Sequence, residues 1–238
     1  MFDLLLVGAG ITSATFAAAL RHRLSICIVD TRPHFGGNCF DSVHRETRVH
    51  HYGPHIFHSP SRRITSFLSQ FTAWVSYTHT VLAEVQAAVK QSDGNSYEAS
   101  RLLVPFPYSQ ATINALGTAL TDAQLVNTLF RAYSEKMWGI RWESLPPAVR
   151  NRIPRYLEPP PTPKYYRDHF TAIPSRGYTP MLENMIDGTR LILNAPADEW
   201  IRIRAKTVIY TGRPDLIPLP RDTGRTVAGS LGLVNRFC

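Results

Sequence analysis

Apolar and turn-forming positions divide the chain into stretches of different period. The first forty residues hold two short unbroken apolar runs, Phe2–Val7 (FDLLLV) and Leu24–Val29 (LSICIV), on either side of an alanine-rich stretch, Thr12–Arg21, free of glycine and proline. Unbroken runs of that length suit strands buried on both faces of a parallel sheet, and the alanine-rich stretch predicts a helix. From Ala73 to Pro107 apolar positions recur in THTVLAEV and SRLLVPFP around the turn cluster SDGNS, which predicts a hairpin. Ser109–Trp138 changes to helical spacing in TINALGTAL and DAQLVNTLFRAYSEKMW, with Thr121 or Asp122 as a cap. Around EPPPTP, Tyr156–Ala172 reads as aromatic-rich strand. Thr179–Ile186 then reads as a helix, and TRLILNA and KTVIYTG read as strands.

The series implies an α/β fold: a GxGxxG-type, Rossmann-like dinucleotide domain with a small helical insertion and an antiparallel strand-rich layer. The expected boundaries are 1–72 with 186–238 for the dinucleotide domain, 73–108 with 155–185 for the strand-rich layer, and 109–154 for the helical insertion with a mobile loop.

The opening unit gives the glycines their meaning. Strand, glycine turn, helix, strand and acidic residue follow one another within thirty residues. Gly8 permits the tight turn, and Gly10 lets the backbone approach a pyrophosphate with no Cβ in the way. Amides near Ile11, Thr12 and Ser13 then face the phosphates with the positive end of the helix dipole behind them. Ser13 replaces the third glycine and is small enough for close helix–strand packing. Asp30 closes the second strand and is placed to accept hydrogen bonds from ribose hydroxyls. The loop after it (Thr31–Asn38, TRPHFGGN) carries Arg32, able to meet a phosphate, and a second glycine pair ending in Gly37 and Asn38.

Composition narrows the setting. Of 238 residues, 44% are apolar and 18% charged, enough for a core and too apolar for wholesale disorder. No apolar run reaches membrane-spanning length, and MFDLLLVGAG lacks the basic start of a signal peptide. Three cysteines, Cys27, Cys39 and Cys238, form no disulfide framework, so a reducing cytoplasm is expected. The net charge of +8 favours anionic partners, but the basic residues are scattered and accompany no nucleic-acid module. His50, His51, His55 and His58 are metal ligands by type, yet they complete no recognised pattern, so no metal is expected.

GAGITSA, DTRPHFGGN and HHYGPHIFHS, followed in order by YTHTVLA, PFP, YSEKMWG, LPPAVRNRIP, YYRDHF, AIPSRGYTPML and VIYTGRPD, resemble the UDP-galactopyranose mutase family over most of the chain. The resemblance implies an FAD-binding fold and an isomerase that interconverts the pyranose and furanose forms of a nucleotide-diphosphate sugar. UDP-galactose, or a close analogue, would be the substrate. In such enzymes N5 of the reduced flavin forms an adduct with the anomeric carbon and displaces the diphosphate. The protein supplies position and electrostatics. A homodimer and a place in cell-wall polysaccharide biosynthesis complete the expectation.

The resemblance also assigns roles. Gly8, Gly10, Ile11, Thr12, Ser13, Asp30, Arg32, Gly37, Asn38, His55 and Ile56 would contact the cofactor. His55 would position flavin and substrate, and Arg152 would hold the departing diphosphate; both are catalytic candidates. His58, His79, Phe106, Tyr133, Trp138, Arg152 and Tyr165 would line the substrate site, with Tyr133 stacked on uracil and Tyr165 on the phosphates. Taken singly, each has a plain structural reading: a hydrogen-bonded loop histidine, aromatics buried at a helix end, a surface arginine near prolines.

Two departures are visible. The helical part looks shorter than the family's. After TGRPD the chain reads LIPLPRDTGRTVAGSLGLVNRFC, where the family continues into further strands and a second diphosphate-binding arginine; Arg221, Arg225 and Arg236 are equal candidates for that role. A shortened relative that binds a nucleotide sugar without turnover, and an FAD oxidoreductase, are therefore the alternatives.

Overall fold

The computed structural model describes residues 1–90, 97–157, 165, 166, 168–196 and 198–212. The SDGNS turn, EPPPTP and the tail with Arg221, Arg225, Arg236 and Cys238 lie outside these residues. In chain order the strands are β1 (Phe2–Val7), β2 (Ile26–Val29), β3 (Asp41–His44), β4 (Thr47–His50), β5 (Phe57–Ser59) and β6 (Trp74–Ser76). They continue with β7 (Val81–Lys90), β8 (Tyr97–Phe106), β9 (Tyr108–Ser109), β10 (Arg155–Tyr156), β11 (Phe170–Pro174), β12 (Arg190–Ile192) and β13 (Ala205–Tyr210). The helices used below are α1 (Ile11–Leu20), α2 (Arg62–Leu68), α3 (Gln110–Leu116), α4 (Asp122–Leu125), α5 (Arg131–Trp138), α6 (Pro147–Arg150) and α7 (Tyr178–Ile186). The chain divides into two compact units: Met1–His55 with Gln70–Ala73 and Pro174–Cys238, and Ile56–Ser69 with Trp74–Ile173.

The first unit is built on a parallel sheet of order β12-β2-β1-β13. β1 and β2 are buried because their apolar runs have no polar face to offer water: Leu4, Leu5, Leu6, Ile26, Cys27, Ile28 and Val29 are almost fully covered. The small residues Ser13, Ala14 and Ala17 let α1 pack closely, and it lies against α7. α7 buries Tyr178, Met181, Leu182, Met185 and Ile186, the i, i+3, i+4, i+7, i+8 stripe of a core helix. Arg21, just past α1, donates to the carbonyls of Asn184 and Asp187 at the carboxyl end of α7, both at 2.9 Å, where a cation meets the negative end of the dipole. β1 lies between β2 and β13, and its carboxyl end leads into the glycine turn, on the side of the sheet where α/β folds place their ligands.

The second unit holds the expected hairpin, β7 against β8 in antiparallel register. Val85, Val104, Tyr108, Leu125, Leu129 and Phe130 form its core. Helical structure runs from Asp122 to Trp138 as expected, with Thr121 as cap, but it widens to a π turn over Val126–Phe130. β5, β11 and β6 make a second small sheet. The strand expected over Tyr156–Ala172 is not continuous: among the described residues of that stretch, Arg155–Tyr156 and the start of β11 are extended in a ladder, and Tyr165 and Tyr166 lie between them in irregular backbone. Their rings pack on histidines and on Phe106 rather than alternating across a sheet, so aromatic content there serves a cluster and not a strand.

Candidate functional site

In the first unit the glycine turn follows β1 directly. Gly8 has φ +105°, and a Cβ there would strike the Thr211 hydroxyl at 2.6 Å, so the turn requires glycine. Gly10 precedes α1, which has no side-chain cap and no acidic residue in its first turn. The Ala14 amide bonds to the Gly10 carbonyl, which leaves the amides of Ile11, Thr12 and Ser13 at the open end of the helix. Ser13 takes a different part from its neighbours. Its side chain is buried, donates to the Gly8 carbonyl and meets the Thr211 hydroxyl at 3.1 Å, so it braces the turn that the third glycine of the motif would only have left room for.

The second glycine pair closes over the first. Gly36 N–H donates to the Ala9 carbonyl at 2.9 Å. At Gly37, with φ +60°, an added Cβ would come within 3.0 Å of the Gly10 Cα. Two backbones thus meet with no side chain between them. Asp30 pins the same turn: one carboxylate oxygen accepts from Ala9 N–H at 2.7 Å and the other from Arg32 N–H at 2.9 Å. Each oxygen keeps a second lone pair for a ribose hydroxyl. Arg32 donates to the Asn38 side chain at 3.1 Å, and its guanidinium lies 5.5 Å from the Tyr52 ring centroid. The bare glycine contact, the open helix end and the paired carboxylate fit a dinucleotide.

The histidine loop is held by β4. His50 Nδ1 accepts from the His55 amide at 3.1 Å, and burial pushes the His50 imidazole below its usual range, opposed by the nearby Asp41 carboxylate. His55 donates from Nδ1 to the Gly53 carbonyl at 2.9 Å, which leaves Nε2 as its outward atom. Both rings lie against Tyr178, the first residue of α7. Asp41, buried at the start of β3, holds that helix: it accepts from the Tyr178 and Thr179 amides at 2.7 and 3.0 Å and from Arg48 at 3.1 Å. Sequence reasoning missed Asp41. A carboxylate capping a helix 137 residues away leaves no local pattern.

The second unit gathers another set. The antiparallel pairing of β5 with β11 sets His58 opposite Thr171 and brings Asp168 onto His58 Nδ1. His58 stacks on Tyr166 with centroids 3.8 Å apart. His79 packs on Tyr165 and Tyr166, and Phe106 lies 5.9 Å from Tyr165. Four of the expected substrate residues, His58, His79, Phe106 and Tyr165, therefore join one aromatic cluster, to which Tyr166 and Asp168 are additions. Burial raises the Tyr165 phenol above its usual range, with smaller contributions from Tyr166, Tyr133 and Tyr156.

Tyr133 and Trp138 are 65% and 55% exposed on α5, which ends at Gly139 with φ +67°. Arg152 follows α6 and is exposed, and its guanidinium has no hydrogen bond or ion pair among the described residues. Ile56, next to His55, is half-buried. Among the described residues no group of three histidine, cysteine or acidic side chains is placed to hold a metal. No described helix is long and apolar enough to cross a membrane.

Comparison with known proteins assigns the two regions. Residues 6–71 match an NAD(P)-binding Rossmann-like domain, and residues 128–217 match the UDP-galactopyranose mutase family. The chain is 30% identical over 203 residues to the UDP-galactopyranose mutase of Mycoplasma genitalium, covering 75% of this chain and 50% of the relative. It is 27% identical over 215 residues to the dTDP-fucopyranose mutase of Escherichia coli (79% and 54%), and 27% identical over 213 residues to the probable UDP-galactopyranose mutase of Klebsiella pneumoniae (78% and 53%). The chain spans about half the length of these relatives. These likenesses, with the glycine-lined Rossmann-like unit, support FAD as the dinucleotide. Residues 128–217 thus match the UDP-galactopyranose mutase family, and the chain is similar to such mutases over about three quarters of its length.

Proposed function

We propose that this protein is an FAD-dependent mutase that interconverts the pyranose and furanose forms of a sugar carried on a nucleoside diphosphate, with UDP-galactose as the first substrate to test. The observation that carries the reading is the exposure of Tyr133, Trp138 and Arg152 within the family's own segment. Aromatics at a helix end ordinarily cover core, and a structural arginine ordinarily has a carboxylate; Tyr133 and Trp138 are more than half exposed, and Arg152 has no carboxylate partner among the described residues.

Each then has a task. Tyr133 and Trp138 offer flat faces to the base and sugar. Arg152 offers a two-pronged donor to the diphosphate, stabilising the charge that grows as the bond to the sugar breaks. Tyr165 adds a hydroxyl donor to the phosphates; a phenol carries its proton at neutral pH, and burial raises its pKa further. The amides of Ile11, Thr12 and Ser13 hold the cofactor's pyrophosphate, Asp30 its ribose, and Arg32 a phosphate. His55, its Nδ1 committed to Gly53, positions flavin and sugar through Nε2. Reduced FAD supplies a nucleophilic nitrogen for the anomeric carbon, and the reaction has no net redox change.

The test uses the full chain reconstituted with FAD, reduced with dithionite and incubated with UDP-galactose. Formation of the furanose isomer only under reducing conditions is the expected result. Nucleotide-sugar binding without conversion would replace the mutase by a non-catalytic binding relative. Absence of a flavin spectrum after adding FAD would reject the cofactor.

A further inference from the structure

His58 and Asp168 are joined by the fold, not by sequence. They lie 110 positions apart, and the β5–β11 ladder places them side by side. A carboxylate only accepts, so the His58 nitrogen facing Asp168, Nδ1, must carry the proton. The imidazole plane is fixed as well, stacked within 16° of Tyr166, which in turn lies against His79. The remaining nitrogen, Nε2, has no protein partner among the described residues, and the side chain is 39% exposed. In the neutral form, an imidazole held this way presents one open lone pair, at Nε2.

We propose that Asp168 is a positioning residue that holds His58 in its Nδ1–H tautomer, so that Nε2 accepts a hydrogen bond from a hydroxyl of the sugar in the nucleotide sugar. The second half of this inference rests on the proposed function; the first half does not. The choice of ligand group follows from donor chemistry. A diphosphate has no proton to give at neutral pH, so an Nε2 lone pair facing it would meet another acceptor. Sugar hydroxyls are donors. A merely structural clip between β5 and the segment before β11 would need the Asp168 contact but would be indifferent to which nitrogen is left over.

The tautomer is read directly by nitrogen–proton correlation spectra of the full chain with labelled histidine, in the parent and in Asp168→Asn and Asp168→Ala, with His58→Gln to assign the signal. The expected result is an Nδ1–H pattern for His58 in the parent that shifts toward Nε2–H in Asp168→Ala. An Nε2–H pattern in the parent, or one unchanged in Asp168→Ala, would overturn the proposal. Asp168→Asn keeps the shape of the clip but can turn an amide N–H toward Nδ1, which reverses the tautomer. Titration then compares UDP-galactose with UDP. Asp168→Asn should weaken UDP-galactose by about three- to tenfold, one hydrogen bond's worth, and leave UDP unchanged. Equal weakening of both ligands, or of neither, would remove the sugar hydroxyl as the partner. If the parent binds neither ligand, the nucleotide-sugar function and the hydroxyl assignment fall together, while the spectra still decide the Asp168–His58 tautomer.

Discussion

At the scale of single residues, the contact between Gly10 and Gly37 constrains the cofactor region directly. Gly37→Ala puts a methyl 3.0 Å from the Gly10 Cα at a φ of +60°, so the two backbones must separate where the pyrophosphate would lie. FAD affinity, measured by flavin fluorescence titration, should fall by about tenfold or more, a loss of about 1.4 kcal/mol per decade. An affinity equal to the parent's would detach this glycine pair from the cofactor. Arg152 makes the opposite case, since its guanidinium has no hydrogen bond or ion pair among the described residues. Arg152→Ala should slow turnover by about a hundredfold or more, as loss of a transition-state charge contact does, while the thermal midpoint stays within about a degree or two. Equal rates under reducing conditions would take Arg152 out of the reaction. Both positions were legible in the sequence, because a glycine motif and an arginine beside prolines are local patterns. Ser13 was legible only by size; that its hydroxyl ties Gly8 to Thr211 needed the return of β13 beside β1.

At the scale of elements, β4 and the turn after it set the position of His55. The His55 amide donates to an unprotonated His50 Nδ1, a bond that cannot survive protonation of His50. Burial lowers the His50 pKa below its ordinary 6.5 in the fold, against the pull of Asp41 and with help from His55 and Arg48, while the Tyr178 ring edge covers the imidazole. The unfolded chain therefore takes up this proton first as pH falls. Stability from His50 is full above about pH 6.5 and is lost as pH drops through the lower folded value. Urea midpoints at about pH 7.5 and 5.5 should show this drop in the parent and less of it in His50→Gln. An unchanged pH dependence in the variant would remove His50 from the linkage. The elements themselves were mostly readable: β1, α1, β2, the hairpin and α7 follow from apolar period and turn residues. The aromatic stretch before β11 was misread as strand because tyrosines favour strands, whereas here rings stacked on His58 and His79 decide the backbone path.

At the scale of the whole chain, a net charge of +8 would attract the proposed ligand, which carries two phosphates. Attraction of that range is screened within a Debye length, so KM for the nucleotide sugar should rise between ~0.05 M and ~0.5 M salt while kcat changes little. A KM independent of salt would confine the charge to solubility. The amino-acid order alone settled what is local: the glycine turn between an apolar run and an alanine helix, the acid that closes β2, and the hairpin. Tertiary structure alone decided the pairs with no shared pattern. Asp41 reaches the amides of α7, Asp168 reaches His58, and Gly37 rests on Gly10, because strand register and helix packing bring together residues that no spacing rule connects. Backbone propensity and hydrophobic period act over a few residues, and burial of distant polar partners is settled only when the sheets and helices have closed around them.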